Sequence, residues 1–268
     1  MMDIILFANW GLGRNVLKLF LSDWYFKITA VVTQYNSDTD DYYFNCVNSL
    51  AIENNIPVYK SHKELPIDIL TKNVLGFSVA YSEIFDSTIL DRITILNLHT
   101  SKLPEFRGVS PVVWQVKVYC CNWSATIHEV DKSIDTGRIF SQFDCEMDSE
   151  QTYIESIDVF NQKVAQWAVI TLKHFKLDNK NEFIKNEGGK YYPRIQVPEV
   201  LKTKSLIEIN KFLNLKRIVV FTGNRAEFGI LFPILKQLSD IFNVTLVLSG
   251  AHVQKPWETK HEIYTLIS

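Results

Sequence analysis

The chain has 268 residues, with 28 Lys and Arg against 30 Asp and Glu, so its formal net charge is −2. Hydrophobic residues make up 47% and charged residues 22%, which is the composition of an ordinary globular protein. These values exclude a disordered tail protein, a fibre and a protein that grips nucleic acid by bulk positive charge. The length predicts one large or two modest domains.

Strand-like and helix-like segments alternate through the first half of the chain. The predicted strands are the apolar or β-branched runs Ile4–Phe7, Ile28–Thr33, Ile56–Tyr59, Val74–Val79 and Ile93–Leu98. Between them lie a predicted turn at Asn9–Gly13 and predicted helices at Arg14–Leu21 and Phe44–Asn54. Strands separated by helical crossovers predict an α/β protein with a Rossmann-like, mostly parallel sheet. Such sheets bind ligands at the carboxyl ends of their strands.

The second half begins with two strands joined by a polar turn. Ser124–Val130 and Arg138–Asp144 are the predicted strands, and Asp131–Gly137 joins them. Tyr153–Phe175 is predicted to be a long amphipathic helix, followed by a solvated connection at Lys176–Glu187.

A second α/β unit is predicted near the end of the sequence. Arg217–Phe221 and Val244–Leu248 are strand-like, with a loop at Thr222–Gly229 and a helix at Ile230–Leu238 between them. A parallel sheet of two strands cannot bury both faces alone, so this truncated unit should belong to something larger or lean on the first domain or a partner. The expected domains are 1–195 and 216–268, joined by a linker at 196–215.

Cysteine use and the N-terminus predict the compartment. The four Cys contain no C-x-x-C pair, so a disulfide framework and a zinc site are both disfavoured. The opening residues indicate a first strand rather than a signal peptide, and no apolar run is long enough for a membrane span. We therefore expect a cytoplasmic protein with no metal and no membrane contact.

A small group of polar residues suggests chemistry at the end of one strand. Asn97 and His99 alternate along it, so their side chains should point the same way. An amide can hold the oxyanion of a tetrahedral intermediate, and an imidazole can take a proton from an attacking nucleophile. Asp135, in a turn that ends with glycine, is the candidate to orient the imidazole. No Cys or hydroxyl nucleophile is clearly placed, which favours direct transfer to an amine.

Each of these residues also has a structural explanation. Asn97 could be a turn former, His99 a buried structural histidine and Asp135 an ordinary turn residue.

The surrounding sequence closely resembles a known family. NLHTSKLPEFRGVSPVVWQV, followed by SATIHEVDKSIDTGRI, is similar to the formyltransferases that use 10-formyltetrahydrofolate, and the resemblance covers roughly residues 1–195. It implies the formyltransferase fold and a catalytic trio. His99 would be the base for the amine, Asn97 the oxyanion partner, and Asp135 the residue that positions His99 and the formyl-bearing nitrogen. Thr100 and Lys102 depart from the family's usual Pro and Leu without removing a catalytic group.

The same resemblance implies two sets of binding residues. The formyl carrier is expected between the loop after the fourth strand and the Asp-Thr-Gly turn, at Ser82, Ile84 and Asp131. The acceptor is expected at Asn9, Lys102, Pro104, Arg107 and Gly108.

The acceptor is expected to be small. Methionyl-tRNA formyltransferases continue into a β-barrel through a basic linker, whereas this chain continues into a βαβ segment and has a charge of −2. Binding tRNA needs many contacts between basic residues and phosphates. A nucleotide-linked amino sugar is therefore favoured over nucleic acid.

The C-terminal segment carries a second resemblance. Arg217–Ile263, with its Gly-x-Arg-Ala-Glu loop at Gly223–Glu227, is similar to the start of hydrolysing UDP-N-acetylglucosamine 2-epimerases. This juxtaposition implies a UDP-2-acetamido-4-amino-2,4,6-trideoxyhexose as acceptor, in the biosynthesis of lipopolysaccharide or another surface glycan. A dTDP-linked 3- or 4-amino-dideoxyhexose is the alternative, and methionyl-tRNA or a non-catalytic folate-binding module is less favoured. A homodimer is a further expectation.

Overall fold

The computed structural model describes residues 1–34, 46–178, 181–223, 225–239 and 242–248. Its first nine strands are β1 (Met2–Ala8), β2 (Phe26–Val32), β3 (Val58–Tyr59), β4 (Val74–Val79), β5 (Thr94–His99), β6 (Arg107–Gly108), β7 (Asn122–Glu129), β8 (Ile139–Glu146) and β9 (Tyr191–Tyr192). The helices are α1 (Trp10–Leu21), α2 (Cys46–Glu53), α3 (Ser87–Leu90), α4 (Pro111–Tyr119), α5 (Tyr153–Leu172), α6 (Leu206–Asn214) and α7 (Arg225–Ser239). The last two strands are β10 (Lys216–Thr222) and β11 (Phe242–Leu248).

A seven-stranded sheet in the order β3-β2-β1-β4-β5-β7-β8 forms the centre of the fold. The five neighbouring strands β3, β2, β1, β4 and β5 run parallel, and β7 and β8 add an antiparallel edge. The chain moves outward from β1 to β3 and then returns to β4, so the sheet has its topological switch between β1 and β4. The predicted α/β fold with a mostly parallel sheet is confirmed.

The sheet is buried on both faces, which explains the continuous apolar runs. Leu6 and Phe77 belong to the larger core cluster, together with residues of α1 and α5. Phe7 and Ile95 point to the other face and form a second cluster. Neighbouring residues of β1 therefore serve opposite cores, as the two-residue period of a strand requires.

The turn after β1 is shorter than predicted. Asn9 is extended and α1 already begins at Trp10, so the predicted turn at Asn9–Gly13 is wrong beyond its first residue. Gly13 lies against the end of β1, where a Cβ would come within 2.8 Å of the Ala8 Cβ. The two glycines that suggested a turn are thus part of the helix, and Gly13 allows that helix to pack closely on the strand.

The segment predicted to be a linker contains a docked helix. Ser205 and Glu208 form a capping box at the start of α6, and Leu206 and Ile209 are buried in the larger core cluster. Asn210 Nδ2 donates to the carbonyl oxygens of Val116 and Lys117 in α4, at 2.7 and 3.0 Å. The segment 196–215 is therefore packed on the larger core cluster through α6, while the division into domains stays a prediction.

The C-terminal unit has the predicted order of strand, helix and strand. β10 and β11 pair in parallel from Lys216 with Phe242 to Thr222 with Leu248. Helix α7 begins at Arg225, inside the predicted loop at Thr222–Gly229. Residues 44–45 of the predicted second helix and residues 249–263 of the segment that resembles an epimerase lie outside the described residues.

Truncating a buried side chain of α6 tests whether this helix stabilises the sheet domain. Ile209→Ala should lower the free energy of unfolding by about 2–5 kcal/mol, because a buried aliphatic side chain would leave a cavity. Lys211→Ala, on the exposed side of the same helix, should stay within about 0.5 kcal/mol of the unsubstituted protein. Urea unfolding followed by tryptophan fluorescence measures both. Equal stabilities of the two variants would contradict the docking of α6.

Candidate active site

An open cleft lies at the carboxyl ends of β4 and β5. Its volume is about 800 Å³. Four segments form most of its wall: Ala80–Phe85 after β4, Asn97–Thr100 at the end of β5, Gly108–Pro111, and Val130–Asp135 after β7. The cleft is thus at the sheet edge where parallel α/β folds bind ligands.

The structure brings the three residues of the predicted catalytic trio to this cleft. Asn97 and His99 are two residues apart on β5, and Asp135 lies in the turn between β7 and β8. His99 Nδ1 is 3.7 Å from Asp135 Oδ2. The placement supports the predicted roles of these residues, which stay predictions.

Hydrogen bonding defines which nitrogen of His99 carries the proton. Nε2 lies 3.0 Å from the carbonyl oxygen of Phe106, which can only accept, so Nε2 must donate. The lone pair of the neutral ring is then on Nδ1, toward Asp135. Burial is the main influence on the pKa of His99 and lowers it below its ordinary 6.5. Asp135 raises this pKa, His128 lowers it, and the bond to the Phe106 carbonyl raises it. His99 is therefore neutral at pH 7 and able to accept a proton at Nδ1.

Asp135 is held as an anion although its side chain is only 12% exposed. Burial alone would raise its pKa, but His99, His128 and the Gly108 amide together lower the pKa to about 2. The Gly108 N–H donates to Asp135 Oδ2 at 2.8 Å. The backbone of Asp135 has φ of +53°, in the left-handed region, so the turn holds the residue in a conformation that a non-glycine residue rarely adopts.

A second histidine completes the site and was not predicted. His128 pairs with Asn97 across β5 and β7, and its Nε2 lies 3.1 Å from Asn97 Nδ2 and 3.6 Å from Asp135 Oδ1. Its Nδ1 donates to the Glu129 carbonyl at 2.7 Å, which leaves the Nε2 lone pair to accept from Asn97. The alternation of polar Ser124, Thr126 and His128 in a predicted strand is the signal that would have placed this ring on one face.

The three residues predicted to bind the formyl carrier all line the cleft. Ile84 is 73% exposed, which leaves its apolar side chain available to a ligand. Ser82 N–H donates to Gln34 Oε1 at 3.1 Å, and the Ser82 hydroxyl donates to the same oxygen. Asp131 Oδ1 accepts from Ser133 N–H at 3.0 Å. Their contacts with the carrier stay predictions.

Hydrogen bonds from Ser61 and a contact with His62, which the sequence did not predict, hold the loop Ala80–Phe85 in place. Glu83 Oε2 accepts from the Tyr81 and Ser61 hydroxyls at 2.8 and 2.7 Å, and it lies 3.0 Å from His62 Nδ1. Burial raises the pKa of Tyr81 above its ordinary value and Glu83 raises it further, so Tyr81 remains a donor. His62 lies in a separate 3₁₀ turn, and no local pattern in the sequence indicates this contact.

Only one of the five residues predicted to bind the acceptor lines the cleft, and it is Gly108. Asn9, Lys102, Pro104 and Arg107 lie outside its lining, and each has a structural partner elsewhere. Their contacts with the acceptor stay predictions. Lys102 Nζ lies 2.9 Å from Asp144 Oδ2 on the strand β8.

The other three residues hold the backbone around the cleft. Asn9 is buried and its Nδ2 donates to the Ala80 carbonyl at 3.1 Å, which ties β1 to the loop after β4. Pro104 packs against Gly189, where a Cβ would lie 2.0 Å from the Pro104 carbonyl oxygen. Arg107 Nη2 donates to the carbonyl oxygen of Asn186. Side chains near a cleft can thus hold its backbone, and sequence spacing alone does not separate that role from ligand binding.

Unpredicted aromatic and basic side chains stand at the rim. Trp10 and Tyr191 line the cleft and are 40% and 54% exposed. Arg194 and Lys132 line it as well. Aromatic faces and cations of this kind suit a ligand that has a flat ring and phosphate groups.

The part of the chain that the structure describes contains no group of three or more His, Cys, Asp or Glu side chains that could hold a metal ion. Within the same ranges, no helix combines the length and apolar character of a membrane span.

Comparison with known proteins finds similarity to formyltransferases. Residues 60–172 match the family model described as Formyl transferase, whose members are enzymes that transfer formyl groups. The methionyl-tRNA formyltransferase of Mycoplasma pneumoniae is 29% identical over 152 residues, which cover 54% of this chain and 49% of that protein. The chain thus spans about half the length of this curated relative.

Solved structures share the fold. A 4-N formyltransferase from Francisella tularensis has a TM-score of 0.57 and 20% identity, covering 80% of this chain and 88% of its own. WlaRD, a sugar 3N-formyltransferase crystallised in the presence of dTDP and 5-N-formyl-THF, has a TM-score of 0.56 and 18% identity, covering 82% and 83%. At these identities the similarity establishes the formyltransferase fold.

Replacing Asp135 should change how stability depends on pH. Its pKa in the folded protein, about 2, is below the ordinary 3.8, so its contribution is present above pH 4 and is lost as the pH falls toward 2. That contribution is about 2 kcal/mol, and roughly half of it should be lost by pH 3. Urea unfolding at pH 6 and pH 3 should therefore show a smaller acid effect in Asp135→Asn, by about 1 kcal/mol.

Asp144→Asn is the control for this measurement. Asp144 is an exposed carboxylate paired with Lys102, and solvent screens such pairs. Its variant should lose much less of the acid sensitivity than Asp135→Asn does. If Asp135→Asn loses as little, the carboxylate is not held ionised by the site.

Proposed function

We propose that this protein is a sugar N-formyltransferase that moves a formyl group from 10-formyltetrahydrofolate to the amino group of a nucleotide-linked amino-dideoxy sugar. The observation that carries this proposal is the convergence of Asn97, a neutral His99 and an ionised Asp135 in one cleft. The match of residues 60–172 to the formyl transferase family supports the same chemistry.

The geometry suggests a direct transfer between the two substrates. The amine nitrogen attacks the formyl carbon, and one Asn97 N–H donates to the oxygen that becomes negative, while the other donates to His128. His99 Nδ1 takes a proton from the attacking amine. The bond from the formyl carbon to N10 of the carrier then breaks, and His99 returns the proton to that nitrogen.

Asp135 supports the step in which His99 is charged. Burial disfavours an imidazolium ion, and the carboxylate 3.7 Å away offsets that penalty when the proton arrives. Because Asp135 has a pKa of about 2, it stays ionised and does not itself take the proton.

The rim of the cleft supports a nucleotide-linked acceptor. Tyr191 and Trp10 offer exposed ring faces for a base, and Arg194 offers a cation for a diphosphate. The net charge of −2 does not favour tRNA. WlaRD, which shares the fold, is described as a sugar 3N-formyltransferase and was crystallised with dTDP.

For the particular sugar we propose a UDP-2-acetamido-4-amino-2,4,6-trideoxyhexose. Its support is the resemblance of Arg217–Ile263 to the start of UDP-N-acetylglucosamine 2-epimerases, and β10, α7 and β11 are compatible with such an α/β unit. A dTDP-linked amino-dideoxyhexose is the second candidate, which the dTDP in the WlaRD crystal favours. The proposed setting is surface-glycan biosynthesis in the cytoplasm.

Incubation with 10-formyltetrahydrofolate and each candidate acceptor tests the function. Mass spectrometry should detect one added formyl group on the UDP-linked sugar and little on methionyl-tRNA. Formylation of only the dTDP-linked sugars would overturn the assignment of the nucleotide, and formylation of only methionyl-tRNA would overturn the sugar. Turnover of none of these amines would overturn the proposed function.

Variants of the trio should separate catalysis from binding. His99→Ala should lower kcat by about 10²–10⁴-fold and Asn97→Ala by about 10²–10³-fold, with binding of the formyl carrier nearly unchanged. His174→Ala, an exposed histidine after α5, is the matched control and should retain full activity. Loss of carrier binding equal to the loss of kcat would contradict the catalytic roles.

A further inference from the structure

Asn186 is a buried polar residue in a segment that the sequence predicts to be a solvated connection. Only 9% of it is exposed. It lies after α5, outside the residues 60–172 that match the formyl transferase family. Ile184 fixes this segment to β8, because its N–H and C=O both bond to Ile139 at 2.8 Å. Asn186 is thereby held against the turn between β7 and β8.

The side chain of Asn186 holds the turn that carries Asp135. Its Nδ2 donates to the Asp135 carbonyl oxygen at 3.0 Å and to the Gly137 carbonyl oxygen at 2.8 Å. Both donors of the amide are therefore used on the backbone of one short turn. Asp135 needs such support because its φ of +53° is unfavourable for a residue with a side chain.

Asn186 also contacts the loop on the other side of the carboxylate. Arg107 Nη2 donates to the Asn186 carbonyl oxygen at 2.6 Å and to its Oδ1 at 3.0 Å. Arg107 is followed by Gly108, whose N–H donates to Asp135 Oδ2. Asn186 is thus linked to Asp135 in two ways. It bonds the Asp135 backbone directly, and it reaches the Asp135 carboxylate through Arg107 and Gly108.

We propose, on the basis of the function proposed above, that Asn186 is a positioning residue for formyl transfer, which holds the Asp135 carboxylate at the distance from His99 that the proton transfer requires. Asn186 does not line the cleft. Its effect on turnover must therefore act through Asp135. Shifting a catalytic group by a fraction of an ångström has large effects on rate, whereas binding depends on many contacts and changes less.

Replacement of Asn186 by alanine tests this role, with Asn210→Ala as the matched control. Both side chains donate from Nδ2 to two backbone carbonyls, but those of Asn210 belong to Val116 and Lys117 in α4. Asn186→Ala should lower kcat by on the order of tenfold to 100-fold and leave the KM for the formyl carrier within about twofold. Asn210→Ala should change neither value.

A second readout does not need turnover. The ionisable groups that face His99 are Asp135 and His128, and Asp135 favours the protonated ring. When the carboxylate moves away, the pH at which ¹⁵N NMR detects protonation of His99 should fall by several tenths in Asn186→Ala and not in Asn210→Ala. If no acceptor is formylated by the unsubstituted protein, the proposed function fails while this titration still tests the positioning role.

An unchanged kcat together with an unchanged His99 titration in folded Asn186→Ala would overturn the proposal. Should that variant not fold, Asn186→Asp keeps the size and the acceptor for Arg107 while removing both donors. A kcat of Asn186→Asp lowered by on the order of tenfold to 100-fold would support the proposal, and a kcat equal to that of Asn210→Asp would overturn it.

Discussion

The arrangement of the site depends on one buried negative charge, the carboxylate of Asp135. An isolated carboxylate in such a place would take up a proton, because burial penalises the ion. Here the Gly108 amide donates to the carboxylate, and His99 and His128 favour the ion when their rings are protonated, so the pKa falls to about 2. The same charge stabilises His99 when that ring is protonated, so the carboxylate links the stability of the fold to the proposed chemistry.

The fold assembles this site from elements that are distant in the sequence. Antiparallel pairing of β5 with β7 places Asn97 opposite His128, and the turn after β7 returns Asp135 to the end of β5. The Phe106 carbonyl fixes the His99 tautomer, so the lone pair of the neutral ring is on Nδ1, the nitrogen near Asp135. A single register shift between β5 and β7 would turn these side chains to the other face of the sheet. The core packing that sets the register therefore also places these side chains together in the cleft.

Part of the fold and of the site was predictable from the sequence, because those parts follow from local periodicity. The strands from β1 to β5, the helix α5 and the shared face of Asn97 and His99 all follow from patterns of two or 3.6 residues. The roles of Lys102 and Arg107 did not follow, because an ion pair with Asp144 and a bond to Asn186 depend on which strands and loops become neighbours. Asn186 itself lies in a polar segment whose composition favours solvent exposure. Burial of such a residue is decided by tertiary packing, which local sequence does not encode.

The most direct test is the protonation state of Asp135 in the folded protein. Its carboxyl ¹³C resonance, assigned by comparison with Asp135→Asn, can be followed by NMR as the pH is lowered. An ionised carboxylate held by His99, His128 and Gly108 should show no titration above about pH 3. A titration at or above the ordinary value of 3.8 would contradict the account, because the charge on which the site depends would then not be stabilised by its neighbours.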